Sequence, residues 1–102
     1  MASAALHDLL IHAIREKRLI AFHYKHPSDR IVEPHDYGVI ASTARLLGYQ
    51  ITGQSSSGAS HGWKMFDVGA MKNLRLLDRT FPGSRATASQ QHIEWDCLFA
   101  RV

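Results

Sequence analysis

The chain has 102 residues, 45% of them hydrophobic, and twelve basic against nine acidic side chains give a formal net charge of +3. That is one domain's worth of chain, enough to bury roughly 60–70 per cent of its unfolded surface. No apolar run approaches the ~18–20 residues of a bilayer span, no basic lead and apolar core mark a secretory signal, and the single cysteine, Cys97, excludes an internal disulfide framework and a thiolate zinc cage and fits a reducing cytoplasm.

Leu6, Leu9, Leu10, Ala13 and Ile14 recur at helical spacing, with Ser3 placed to cap the first turn, so a helix is expected over Ala4 to Lys17. Arg15, Lys17 and Arg18 form the densest basic group. At a helix C-terminus such cations offset unpaired carbonyls, so the group by itself does not indicate nucleic acid. The period then changes. In Leu19 to Tyr24 the residues alternate, with Ile20, Phe22 and Tyr24 on one face of a strand. Pro27, Ser28 and Asp29 read as a turn.

A second strand is expected over Arg30 to Glu33, stopped by Pro34, which lacks the ladder donor. Asp36 to Ala41 and Arg45 to Thr52 make the next pair, joined at Ser42-Thr43. Leu47, Tyr49 and Ile51 compete with Leu46, Gly48 and Gln50 for the core. Gly53 to Gly62 is a Gly/Ser-rich loop, Trp63 to Asp67 a strand, Val68 to Met71 a single turn, and Asn73 to Asp78 the fifth strand. After Phe81-Pro82-Gly83-Ser84, alternation in Ile93 to Phe99 predicts a further strand, free to pair with the barrel edge or with a second subunit. On this reading Cys97 lies on the strand's apolar face as a packed, inert thiol.

Chemistry that needs a fixed constellation is hard to find. Seven histidines are present, but His23 and His26 straddle a strand end, His7 and His12 do not share a helix face, and no H-E-x-x-H or cysteine pair occurs. Ser55, Ser56 and Ser57 near His61 lie in a loop without a G-x-S-x-G elbow, where nothing preorganises a hydroxyl. Gly53, Gly58 and Gly62 match no phosphate-loop pattern. No catalysis, metal or cofactor is therefore expected. Binding is better supported: Tyr37, Tyr49, Trp63 and Phe66 interleave with Arg30, Arg45 and Lys64, and rings beside cations can stack and neutralise a nucleotide or a nucleic-acid strand. Phe22, Tyr24 and Phe66 are expected to serve the core instead.

Taken in order, these landmarks resemble the WYL domain, a bacterial ligand-sensing module. Ile20, Phe22 and Tyr24 resemble its first strand, Arg30, Val32 and Pro34 its R-x-V-x-P element, and Leu46, Leu47, Gly48 and Tyr49 the strand carrying the name motif. Phe66, Val68 and Met71 match its F-x-L-x-x-I landmark, and Leu74 and Phe81 its closing strand and terminal aromatic. The resemblance implies an Sm-like small antiparallel β-barrel behind a helix, and a role in sensing a nucleotide or nucleic acid and passing the signal to transcription. Two departures stand out: the name triplet reads Ala44, Arg45 and Leu46, and Asp67 and Ala70 occupy the places of two arginines.

The expected fold is therefore mainly β with an N-terminal helix (α+β), a single domain over 1–102. It comprises a helix over about 4–17, an Sm-like barrel over about 19–81 and a C-terminal extension over 82–102 with one additional strand. A helix-turn-helix reader, usual in the resembled proteins, cannot be built from the one helix before Leu19. The expected function is a stand-alone, cytoplasmic, non-enzymatic sensing module acting through a transcriptional partner, with Arg30, Arg45 and Lys64 holding an anion and Tyr49 and Trp63 stacking. The alternative is a homo-oligomeric interaction module that pairs through its C-terminal strand.

Overall fold

The computed structural model describes residues 4–25, 29–52, 62–84 and 93–102. The expected cap Ser3, the turn residues Pro27 and Ser28, and Ser55, Ser56, Ser57 and His61 lie outside the described residues.

Helix α1 (Ala4–Glu16) buries Leu10, Ala13 and Ile14, the stripe that its spacing marks out. Lys17 ends it in the left-handed region at φ 55°, and its carbonyl accepts from the Phe81 N–H at 2.9 Å. Six strands follow: β1 (Arg18–His23), β2 (Asp29–Ile40), β3 (Thr43–Thr52), β4 (Gly62–Asp67), β5 (Lys72–Thr80) and β6 (Cys97–Arg101). They form one sheet in the order β4-β3-β2-β1-β5, with β6 on β2 and every pairing antiparallel. Ala41 and Ser42, both at positive φ (51° and 64°), join β2 to β3, as a two-residue hairpin turn matched to strand twist requires.

The expected Sm-like barrel is not closed. The hydrogen-bonded path ends at β4 on one side and β5 on the other, and among the described residues these two do not pair. The chain crosses between them through the 3-10 turn Val68–Ala70, whose cap Asp67 accepts from the Gly69 N–H at 3.0 Å. Val68 and Met71 are buried at this crossing, so side chains rather than a ladder fill the seam.

β2 runs through Pro34, where the sequence suggests a break. Its pairing with β1 stops at Val32 and its pairing with β6 starts at Asp36. Pro34 therefore has a strand partner on one side only, where a missing donor is tolerated. The register with β3 also slips here, from Pro34↔Gly48 to Asp36↔Leu47. His35 is the extra residue of a bulge, and a bulge resets which side chains face in.

The same slip decides the face of β3. Leu46, Gly48 and Gln50 point to the core, and a Cβ on Gly48 would overlap Val32 Cγ1. The core joins α1 to this inner face through Leu10, Ile14, Phe22, Val32, Leu46 and Phe66.

The C-terminal strand starts later than its alternation predicts, at Cys97 rather than Ile93. It pairs with β2 of its own chain, Val39↔Cys97 to Asp36↔Arg101. Cys97 is exposed, not packed: it opens the strand opposite Val39, in a stretch where Leu98 and Phe99 are exposed as well. Asp36, fully buried, accepts from Arg101 Nε at 3.2 Å and Nη2 at 3.0 Å, a bidentate clamp that pins β6 down.

A second polar cluster ties β1, β2 and β5. Asp29 meets Arg75 through one oxygen and His23 Nε2, at 2.9 Å, through the other. The Arg75 guanidinium holds the Asp29 carboxyl below the ordinary aspartate range. A lowered folded-state value adds stability above the unfolded value and loses it as pH falls through the folded one. Acid titration should therefore weaken the His23–Asp29–Lys72 corner selectively, and amide exchange at these residues that does not change across the acidic range would contradict this.

Candidate functional site

The five candidate side chains fall on two faces. On β3 and β4 the cross-strand partners are Arg45↔Asp67, Leu47↔Met65 and Tyr49↔Trp63 on one face, and Leu46↔Phe66 and Gly48↔Lys64 on the other. Arg45, Tyr49 and Trp63 thus share the outer face, because side chains two and four residues apart on a strand point the same way. Lys64 lies on the inner face with Phe66. Arg30, paired with Phe22, is also an inner-face residue.

The outer face carries a ring cluster. Tyr49 and Trp63 meet edge to face at 5.5 Å, Trp63 meets His35 at 4.7 Å, and His35 in turn lies 5.4 Å from Phe81. His35 is fully buried and its Nδ1 lies 2.8 Å from the Glu33 carbonyl. It fixes the Trp63 ring from behind while Tyr49 and Trp63 stay half-exposed. Sequence reasoning missed His35, since the bulge that turns it outward leaves no mark on a period-2 pattern. Further along the same face, Arg45 is half-buried and its Nε meets no acceptor.

On the inner face Arg30 is only 3% exposed. Its Nη2 donates to the Tyr24 carbonyl at 3.0 Å and its Nη1 to Gln50 Oε1 at 3.3 Å, while the guanidinium sits over the rings of Tyr24 (5.2 Å) and Phe66 (5.9 Å). Its Nε, too, has no hydrogen-bond partner, and burial pushes the guanidinium below its ordinary value, though an arginine remains charged at neutral pH. All nine acidic side chains of the chain fall among the described residues. Three arginines have acidic partners in contact, Arg18 with Glu16 and Asp78, Arg75 with Asp29 and Arg101 with Asp36. Among the described residues Arg30 and Arg45 have none.

Burying a charge without an opposite one is costly. Arg30→Met is therefore expected to leave stability in urea unchanged or raise it, because the lost hydrogen bonds are worth only about 1 kcal/mol. A loss near 3 kcal/mol, the cost of breaking a compensated buried pair, would make Arg30 a structural pillar instead.

Where the resembled motif has its two arginines, Asp67 and Ala70 border a shallow polar depression of about 420 Å³ with Ser42, Thr43, Ala44 and Gly69. Its one charged lining side chain is acidic, so it does not favour an anion. Among the described residues no three histidine, cysteine or carboxylate side chains gather to hold a metal ion, and no helix is long and apolar enough to cross a membrane.

No family model and no curated protein matches the chain. Among solved structures it is similar to proteasome accessory factor B/C (PafBC) of Arthrobacter aurescens, with a TM-score of 0.68 and 19% identity over 90% of this chain. The chain spans 15% of the length of that structure. The likeness is one of fold, and it supports a WYL-like fold.

Proposed function

We propose that this chain is a non-catalytic, WYL-like sensing module that takes a short single strand of nucleic acid along its β3–β4 face and passes its occupancy to a transcriptional partner. The observation that carries this reading is Arg45, a guanidinium whose buried Nε meets no acceptor, on the same face as the Tyr49–Trp63 ring pair. Arg45 and Tyr49 are four strand residues apart, or roughly 13 Å, a distance that a short oligonucleotide covers and a single phosphate does not. Lys64 and Arg30 add positive potential from the inner face. The likeness to PafBC supports a regulatory binding module in outline.

The test is fluorescence anisotropy with short single-stranded DNA and RNA at low and high salt. Binding should weaken steeply with salt. Trp63→Ala should cost about 1–3 kcal/mol of binding, and Arg45→Ala should weaken binding and flatten the salt slope. Salt-insensitive binding, or none at low salt, would refute the reading.

A second reading, a homo-oligomeric interaction module, is favoured by β6. Among the described residues β6 pairs only with β2, and its Leu98 and Phe99 are the large apolar side chains left exposed, at 39% and 37%. An edge of this kind invites another strand. If it is the contact, Leu98→Glu should convert a defined oligomer to monomer in light scattering while the fold is kept.

A further inference from the structure

At the N-terminal end of α1 the described residues leave the inner face of the sheet unfilled. Tyr37, Val39 and Ala44 lie on that face, continuous with Leu46 in the core. Above them the helix offers only Ala4 and His7, and Phe99 of β6 closes one side. With Ser42 at the hairpin turn these residues line a half-open cleft of about 530 Å³. The volume lies within the ~300–1,000 Å³ typical of small-molecule sites. It arises because small side chains, Ala4, Ser42 and Ala44, stand where the core would need large ones. At Ala44 the resembled name motif has a tryptophan.

The walls have a definite chemistry. His7, Tyr37 and Phe99 form a triangle of rings, with centroids 5.3 Å (His7–Tyr37), 4.8 Å (His7–Phe99) and 5.0 Å (Tyr37–Phe99) apart, and these present ring edges and faces to whatever lies between them. Among the described residues no lysine, arginine, aspartate or glutamate lines the space. A negative charge acts on its wall: burial, and then Asp8, next to His7 on α1, raise the Tyr37 hydroxyl above its ordinary value. Tyr37 therefore keeps its proton, and its hydroxyl lies 2.8 Å from His7 Nδ1. When that hydroxyl donates to Nδ1, the neutral imidazole carries its hydrogen on Nε2 and can offer it to a guest.

We propose that this cleft binds a small, uncharged, planar aromatic molecule carrying one hydrogen-bond acceptor, the ring packed among His7, Tyr37 and Phe99 and over Ala44. Dry apolar cavities take up flat aromatic guests readily, and the edge-to-face geometry of the walls suits a ring. An anion is disfavoured because no cation lines the cleft among the described residues and Asp8 acts on its wall. The site is therefore separate in place and in ligand chemistry from the nucleic-acid face, and it does not depend on that reading.

The experiment is an NMR titration of the full chain with benzimidazole, and with benzoate as the anionic comparator. Benzimidazole is expected to give saturable shifts at the His7, Tyr37 and Phe99 rings and the Ala44 methyl, and benzoate much weaker ones. Val39→Phe and Ala44→Leu, which fill the cleft, should each weaken benzimidazole at least about tenfold while amide dispersion stays native, since a filled cavity leaves no room for the guest. Arg45→Ala should leave it unchanged. Absence of saturable shifts in the folded wild type would overturn the proposal. So would shifts scattered over the surface that persist in whichever filled variant keeps its fold.

Discussion

Replacing Phe66 by alanine is expected to cost about 4 kcal/mol and to lower the melting temperature by roughly 15–30 °C. Phe66 is 1% exposed and stands at the junction of three elements. Its ring meets Phe22 of β1 at 5.0 Å and Tyr24 at 5.1 Å, both edge to face, and supports the Arg30 guanidinium. It also faces Leu46 across the β3–β4 pair. Truncation removes the transfer energy of the ring and leaves a void that the stiff strands around it cannot close. A large share of the stability of a domain this size, about 5–15 kcal/mol in all, would be at stake. Differential scanning calorimetry reads the result directly, and a drop of only a few degrees would mean that the core collapses around the gap.

A second large effect is expected at Gly38. A Cβ there would overlap the Cys97 carbonyl oxygen and approach Trp95 Cε3 at 2.8 Å and Leu98 Cα at 3.0 Å. The obstruction is mostly backbone, so it cannot be relieved by a rotamer change. Gly38→Val should therefore lift β6 off β2, break the Asp36–Arg101 clamp and cost about 2–3 kcal/mol, while β1 to β5 stay paired. Hydrogen exchange distinguishes this from general loosening: protection should vanish at 97–101 and persist at Ile20 to Phe22. Unchanged protection at Leu98 and Ala100 would show that β6 tolerates the added methyls.

Much of the architecture can be read from residue pattern alone. Helical spacing ends where Lys17 turns left-handed, and the alternation of Ile20, Phe22 and Tyr24 places Phe22 in the core. The short turn after Asp67 appears as the 3-10 turn that links β4 and β5. The misses have one physical cause: they depend on what lies opposite a residue rather than on the residue. Pro34 reads as a strand end until one sees that it faces a gap between β1 and β6. Cys97 reads as buried, yet its neighbours across the β2–β6 pair leave it exposed. The open seam between β4 and β5 is invisible because its occupants, Val68 and Met71, look like any apolar residues.

The candidate site was legible as residue types and not as a surface. Tyr49, Trp63 and Arg45 come together because they share strand parity across β3 and β4. Lys64, beside Trp63 in sequence, points away for the same reason. Arg30 matches its expected position in the chain, but its burial depends on Gln50 and Tyr24, which only the sheet brings to it.

β2 carries β1 and β6 along one edge, and the Asp36–Arg101 contact closes a loop between positions 65 residues apart. Contacts of such long separation form late, because loop-closure entropy must be met before they contribute. On a ribosome making about 5–20 residues per second, the β2–β3 hairpin can pair long before Arg101 leaves the exit tunnel. In that interval the Asp36–Val39 edge of β2 would stand bare, open to a chaperone or to a strand of another nascent chain, until residues 97–101 arrive to cover it.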